Sequence, residues 1–188
     1  MHLPYSELKK GVFLVASPQI ENGIFFRSVV LLCDHSSVGS FGLIVNKPLQ
    51  VDQDNDLLEL GDLAEANIQI RAGGPKDTHQ MTLLQNVQTG TPGSSKVCEG
   101  IYLNGDMDSL SMTSGSENST PTLLCLGYGV WNTGVLEREF LNSAWFLHPA
   151  TPQHVFETPV ENLWQTLLRE MGGKYKTFSM IPEDLELN

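Results

Sequence analysis

The stretch Leu126-Gly127-Tyr128-Gly129-Val130-Trp131-Asn132-Thr133-Gly134-Val135-Leu136-Glu137 brings a strand pattern and a helix pattern together. The apolar run at 122–126 predicts a strand, and the periodicity at 135–144 predicts a helix. The glycines between them predict a tight turn over 127–134. This succession is typical of proteins that mix helices with a sheet, in which ligands often bind at such a turn.

The same two patterns extend through the rest of the 188-residue chain. The strands at 27–34 and 41–45 are expected to pair as a hairpin. Strands in the middle and helices late predict one α+β or layered α/β domain over 1–188, with flexible loops near 86–97 and 113–121 and a polar tail at 174–188. The full set of predicted strands is 12–16, 27–34, 41–45, 68–72, 81–84, 100–103 and 122–126. The predicted helices are 5–10, 56–60, 106–112, 135–144 and 161–171.

Charge and cysteine content limit the classes of function. The net charge is −11, and the 11 basic residues form no stripe. This disfavours direct binding of nucleic acid and leaves basic proteins as possible partners. Cys33, Cys98 and Cys125 have no CxxC spacing, so they are expected to be buried free thiols in a reducing compartment. No apolar run is long enough to cross a membrane and no signal peptide is evident, so the cytoplasm is the expected location.

Asp34-His35, at the end of an apolar strand, is the best candidate for an acid–base pair, because a carboxylate can orient a neighbouring imidazole. Adjacent strand residues point to opposite faces, so the pair also fits a turn-forming Asp and a surface His. Cys33 and His35 are two apart and could share a face, as nucleophile and base or as half of a metal site.

A zinc site needs three or four ligands, and the other histidines show no ligand spacing. These are His2, His79, His148 and His154. A core thiol is therefore the favoured interpretation of Cys33, and neither a metal nor a cofactor is predicted.

The predicted turn lacks the features of a nucleotide-binding loop. Asn132 stands where a GxGxxG motif needs its third glycine, and no GKS or GKT follows, which excludes a P-loop. Backbone amides at the start of the helix could still hold an anion. The alternative is that the glycines permit a tight turn and that Trp131 packs on the core. Glu137-Arg138-Glu139, on the helix, is interpreted as a solvated face.

Three elements in order resemble the signatures of the AlgH/YqgE family of bacterial proteins. The first is Arg27-Ser28-Val29-Val30-Leu31-Leu32-Cys33-Asp34-His35, followed by Gly39, Gly42, Asn46 and Pro48. The second is Gly73-Gly74-Pro75, and the third is Leu126-Gly127-Tyr128 with Trp131, Gly134 and Leu136-Glu137. Trp164 fits as well, so the resemblance covers about 11–172. The chain departs from the family pattern at Val130, Val135, His79-Gln80 and Gln85, which favours a role of the matched residues in maintaining the fold.

The resemblance implies a compact cytoplasmic α+β domain with a mixed, partly barrel-like sheet and helices packed on it. The family has no established enzymatic activity, and its name derives from a proposed role in transcriptional regulation of exopolysaccharide synthesis. Whether the protein is an enzyme stays open, but the lack of a complete catalytic set favours a non-enzyme. We therefore expect a regulatory protein that acts through contacts with a protein partner.

The alternative function is a small-molecule-binding or nucleotide-binding protein, or a hydrolase. Its site would join Asp34, His35 and Asn46 to the segment from Tyr128 to Trp131. A direct DNA-binding regulator comes third, because electrostatic binding to DNA needs cations that this chain does not cluster. The candidate ligand-binding or signature residues are Arg27, Asp34, His35, Asn46, Gly127, Tyr128, Trp131, Gly134 and Glu137, and no catalytic residue is assigned.

Overall fold

The computed structural model describes residues 3–49, 68–87, 93–104 and 120–182, which form an α+β structure. The strands described are β1 (Val12–Ala16), β2 (Val29–Ser36), β3 (Gly39–Ile44), β4 (Gln69–Ala72), β5 (Lys76–Gln85), β6 (Ser95–Cys98), β7 (Ile101–Asn104), β8 (Thr122–Asn132) and β9 (Trp145–Pro149). The helices described are α1 (Val135–Leu141), α2 (Val160–Met171) and α3 (Gly173–Phe178), with a 3-10 turn at Tyr5–Glu7 and a π-helical turn at Gln153–Glu157. None of these helices is long and apolar enough to span a bilayer.

The strands form one mostly antiparallel sheet that curls into a half-barrel, in the order β6-β7-β5-β8-β3-β2-β1-β9. β8 is the strand that joins its two halves. Its first part pairs with β5 and, in parallel, with β4, and its second part pairs with β3. The predicted α+β class with a partly barrel-like sheet is confirmed.

Both faces of the sheet are buried at its centre, as the unbroken apolar run of β2 predicts. Along β2, Val29 and Leu31 enter one core cluster, while Val30 and Leu32 enter a second cluster on the opposite face. Helix α2 covers the first cluster with an apolar stripe, and α1 contributes Leu136 to the second. The result is a layered arrangement in which the sheet lies between helices.

Several element predictions are confirmed, and others need correction. β1 has the predicted bounds, and β2 and β3 pair as the expected hairpin. The predicted loop at 86–97 already contains the start of β6 at Ser95. The expected polar tail begins with helix α3, whose Tyr175 and Phe178 pack on Phe146. The helices predicted at 56–60 and 106–112 lie outside the described residues, as does most of the loop predicted at 113–121.

The tight turn predicted over 127–134 is wrong. β8 continues through Asn132, so the only turn residues before α1 are Thr133 and Gly134. The glycines of β8 instead permit close packing of backbone on backbone. A Cβ atom at Gly127 would lie 2.5 Å from the Gly74 carbonyl oxygen, and one at Gly74 would lie 2.1 Å from the Tyr128 carbonyl carbon. Glycine is required wherever another backbone approaches this closely.

Two of the three signature elements therefore form a single contact. The Gly73 amide donates to the Leu126 carbonyl at 2.7 Å, and the Gly73 carbonyl accepts from the Ile44 amide at 2.8 Å. The Gly73-Gly74-Pro75 segment thus lies between β3 and β8. Because no side chain fits there, both segments need glycine.

Candidate functional site

A bulge at Cys33 decides which residues of β2 face helix α1. The pairing of β2 with β3 shifts register between Leu32 and Asp34, so that Asp34 lies opposite Phe41 and His35 opposite Ser40. Ser40 in turn lies opposite Trp131 on β8. Directly opposed residues share a face, so His35, Ser40 and Trp131 form one row beneath α1.

The bulge places Cys33 and His35 on opposite faces of the sheet, although their spacing in the sequence suggested a shared face. Cys33 belongs to the core cluster on the far face, and its thiol donates to the Leu31 carbonyl. His35 points to the α1 face, so the expectation that Cys33 and His35 share a face is wrong. Burial raises the pKa of Cys33 well above its usual value and that of Cys125 to about 12. Neither thiol is therefore a nucleophile in this fold. The prediction of buried free thiols is confirmed for Cys33 and Cys125, whereas Cys98 is free but only half-buried.

His35 lies between a hydroxyl and a carboxylate. Its Nδ1 is 2.8 Å from Ser40 Oγ, and its Nε2 is 3.9 Å from Glu137 Oε1 on α1. A serine, a histidine and a glutamate are the residue types of a hydrolytic triad. However, Ser40 is only 5% exposed, and the contact to Glu137 is longer than a hydrogen bond. This arrangement ties α1 to the sheet and gives a substrate no access to the hydroxyl.

Trp131 is held by an acceptor that the sequence analysis missed. The indole N–H groups of Trp131 and Trp145 both donate to Glu139 Oε2, each at 2.8 Å. The two indole rings meet edge to face, with their centres 6.1 Å apart. We call Trp131 and Trp145 the indole pair, and Glu139 supplies its carboxylate. The Trp131 ring lies over Gly42 and Gly129, where a Cβ would come within 3.6 Å and 3.0 Å of it.

The interpretation of 137–139 as a solvated face is therefore wrong for Glu139, which is half-buried and doubly bonded. A carboxylate between two tryptophans leaves no local pattern in a sequence, because Trp131 and Trp145 come from different strands. The expected packing of Trp131 on the core is what this geometry shows.

The opposite face of the same strands carries apolar side chains that pack on the core and are partly open to solvent. Phe41 lies opposite Val130, and the rings of Phe41 and Tyr128 are 5.3 Å apart. Val130 is 52% exposed, and Phe41 and Tyr128 are half-buried. We call Phe41, Tyr128 and Val130 the aromatic face.

Acidic residues flank the aromatic face. Asp34 is exposed beside Phe41, and Asp77 accepts a hydrogen bond from the Tyr128 hydroxyl, which raises the pKa of Tyr128. Lys76 Nζ lies 3.9 Å from Asp77 Oδ1, beside the aromatic face. Asp34 and Tyr128 thus lie on the opposite side of the sheet from His35 and Trp131.

Arg27 and Asn46 lie together at a third place, beside helix α2. The Asn46 side chain accepts from the Val29 amide at 2.7 Å and donates to the Arg27 carbonyl at 2.9 Å. The Arg27 guanidinium donates to the carbonyls of Ile181 and Pro182 and lies 4.9 Å from the Trp164 ring centre. These bonds fasten the end of the described chain to the sheet.

A cavity of about 710 Å³ lies beside this junction. Its lining includes Arg27, Asn46, Lys47 and Trp164. Trp131 lines two smaller cavities on the α1 face, which do not include Arg27. The predicted site residues therefore occupy three places rather than one pocket. Gly127 lies within β8, and Gly134 is the left-handed residue that precedes α1.

A fourth group contains two of the histidines that showed no ligand spacing in the sequence. His148 on β9, His154 in the π-helical turn and Glu170 on α2 bring their ligand atoms within 4.8 Å of one another. We call these three residues the histidine cluster. Each comes from a different element, so only the fold could bring them together.

Comparison with known proteins identifies relatives over nearly the whole chain. The model of the AlgH-like family matches residues 13–176. A UPF0301 protein from Chlamydia abortus is 43% identical over 186 residues, which cover 99% of this chain and 98% of the relative. A UPF0301 protein from Chlorobium limicola is 29% identical over 98% of both chains.

Two solved structures have the same fold. A Corynebacterium diphtheriae protein known from its crystal structure matches with a TM-score of 0.77 and 19% identity, over 95% of both chains. The solution structure of the AlgH protein from Pseudomonas aeruginosa matches with a TM-score of 0.69 and 23% identity, over 96% of this chain and 98% of that one. At these identities the two structures establish the fold alone.

Proposed function

The chain belongs to the AlgH-like family, and we propose that it is a non-enzymatic regulator that binds a basic partner protein through the aromatic face. The apolar row formed by exposed Val130 and by half-buried Phe41 and Tyr128 carries this proposal. Apolar side chains that lie together at the surface are typical of a protein-binding site, whereas single ones are not. Any effect on transcription would then pass through the partner and not through DNA.

Charge favours a basic partner. The chain has a net charge of −11, and the aromatic face has Asp34 on one side and Asp77 on the other. Lys76 offsets part of this charge locally. Such a surface attracts a protein with basic residues around an apolar centre, and the attraction weakens as salt increases. The same charge repels a nucleic-acid backbone.

The alternative function is a small-molecule or nucleotide site, or a hydrolase, that would join Asp34, His35 and Asn46 to the segment from Tyr128 to Trp131. This alternative finds less support. The sheet separates these residues, with His35 and Trp131 on one face and Asp34 and Tyr128 on the other. A ligand in contact with all four would have to pass through paired strands. A thermal-shift screen with nucleotides and anions tests this alternative, which predicts a stabilising ligand.

The proposal is tested with a photo-crosslinking amino acid placed at position 130, in the full-length chain, in native lysate. Position 141 is the matched control, because Leu141 is also an exposed aliphatic residue, 70% exposed on α1. We expect one discrete adduct from position 130 and none of the same mass from position 141. Mass spectrometry should identify a protein with a basic surface.

A substitution supplies the second measurement. In pull-downs of the partner identified by crosslinking, with a chain that carries no crosslinking residue, Val130→Glu should reduce the recovered partner at least tenfold. Leu141→Glu should leave the recovered amount unchanged, and both variants should keep the melting temperature of the unsubstituted protein. Capture should also fall between 50 and 300 mM salt. Equal adducts from both positions, or an acidic partner, would contradict the proposal.

A further inference from the structure

The histidine cluster has the residue types and the spacing of a transition-metal site. His148 Nε2 lies 3.2 Å from Glu170 Oε2, and His154 Nε2 lies 3.2 Å from the same oxygen. Four ligands arranged tetrahedrally around zinc at about 2.1 Å lie about 3.4 Å from one another. Two of the three ligand pairs therefore already have nearly this separation, and the third stays within 4.8 Å.

The hydrogen bond at His148 determines which ring nitrogen carries the proton. His148 Nδ1 is 2.9 Å from the Pro149 carbonyl oxygen, which can only accept, so Nδ1 carries the hydrogen. In the neutral ring, Nε2 then directs a lone pair at a carboxylate oxygen. This contact is repulsive unless a proton or a metal ion lies between the two atoms.

His148 is the most buried member of the cluster. His148 is 6% exposed, and burial lowers the pKa of its imidazole, although the Pro149 carbonyl and the Glu170 carboxylate partly oppose this. His154 and Glu170 face this imidazole. Two imidazoles and a carboxylate thus lie within 4.8 Å of one another, and these are ligand types that a transition-metal ion takes in proteins.

The outer contacts of the cluster are also those of metal-binding histidines. Such residues almost always donate their other ring N–H to a carbonyl, a carboxylate or water, which fixes the ring. The Pro149 carbonyl is this partner for His148, and Thr151 Oγ1 lies 2.9 Å from Nδ1 of His154. The π-helical turn that carries His154 is a rare conformation that is often found at functional sites.

We propose that His148, His154 and Glu170 bind one divalent transition-metal ion, with zinc as the best match. Two imidazoles and one carboxylate leave a fourth position open for water or another ligand. The carboxylate is the most exposed of the three ligands, with 44% of its side chain accessible, so the metal enters from that side. The ion would link β9, the π-helical turn and the last turn of α2.

The test uses the full chain without a polyhistidine tag, stripped with chelator and titrated with zinc chloride or cobalt chloride. We expect one equivalent of zinc to bind, and the melting temperature to rise by about 5–10 °C when free zinc exceeds the dissociation constant 100-fold. Cobalt should give the visible absorption bands of a tetrahedral site. Binding should be lost as pH falls, because protons compete for the imidazoles.

Variants distinguish this site from adventitious binding. His154→Ala and Glu170→Gln should each lower the affinity at least 100-fold and remove the cobalt bands. Glu161→Gln, on the exposed side of the same helix, and His79→Ala, on the exposed part of β5, should change neither. Circular dichroism of the metal-free proteins controls for folding. No binding by the unsubstituted chain, or equal binding by all four variants, would overturn the proposal.

Discussion

The centre of the sheet around Trp131 and the histidine cluster beside the edge strand β9 both contain buried polar groups, but these groups are satisfied differently. At the centre, two indole N–H donors meet one carboxylate acceptor. In the cluster, a carboxylate faces two imidazole nitrogens, at least one of which presents a lone pair. The first arrangement is complete within the fold, whereas the second has the ligand types for the metal ion proposed above. The signature residue Trp131 thus packs on the core, whereas the histidine cluster, which lies outside the signatures, has the residue types of a metal site.

The largest effect expected at the centre comes from its backbone packing. Gly127→Ala places a Cβ 2.5 Å from the Gly74 carbonyl oxygen, at a φ of 73°. We expect a loss of about 3 kcal/mol in the free energy of unfolding, from overpacking and from the left-handed backbone together. Urea unfolding followed by tryptophan fluorescence measures it.

Gly23→Ala is the matched control for this substitution. Gly23 has nearly the same φ, 75°, but a Cβ there meets nothing within 4 Å. Its cost should be about 1 kcal/mol, that of the left-handed conformation alone. If the two variants were equally stable, close approach would not be the reason for glycine at position 127.

The next effect concerns the acceptor of the indole pair. Glu139→Ala leaves the N–H groups of Trp131 and Trp145 without their carboxylate, and we expect a loss of about 2 kcal/mol. Glu139→Gln keeps an acceptor oxygen and should recover about half of this loss. Chemical unfolding of both variants measures the difference. A cost below about 0.5 kcal/mol for Glu139→Ala would mean that water replaces the carboxylate.

Substitutions of His35 and Asp34, which are neighbours on β2, should differ in their cost to stability because the two side chains lie on opposite faces of the sheet. His35→Ala removes the partner of the buried Ser40 hydroxyl and should cost about 1 kcal/mol. Asp34→Ala, at an exposed position, should change stability by less than about 0.5 kcal/mol. Thermal unfolding compares them directly. Equal costs would argue against the bulge that places His35 beneath α1.

Local patterns predicted most of the fold, because they depend on neighbours in the chain. The apolar run of β2 predicted a strand buried on both faces, and the helical spacing before Gly172 predicted α2 almost to the residue. The glycines of β8 were ambiguous, since glycine serves a turn and a close backbone approach equally well. Only the position of Gly74 in space distinguishes the two.

The site depends on register and on contacts between distant segments, which a single sequence does not contain. One extra residue in β2, at Cys33, reverses which side chain faces α1, and its effect appears only when β3 is aligned beside it. Glu170 meets His148 and His154 because α2 folds back beside β9. Neither the spacing of these three residues along the chain nor the composition could predict that they lie together.

The smallest change in stability is expected for Glu170→Gln in the absence of metal. This substitution distinguishes the histidine cluster most clearly from the indole pair at the centre of the sheet. Glu170→Gln in the metal-free protein removes a charge that faces His148 Nε2, and the new amide N–H can donate to that nitrogen. We expect a change of less than about 0.5 kcal/mol, in contrast to the loss at Glu139. With zinc present, the same substitution should remove the whole rise in melting temperature, while Glu161→Gln should keep it. A loss above about 1 kcal/mol without metal would mean that a protonated histidine already satisfies the carboxylate, and the cluster would then be an ion pair that fastens α2 to β9.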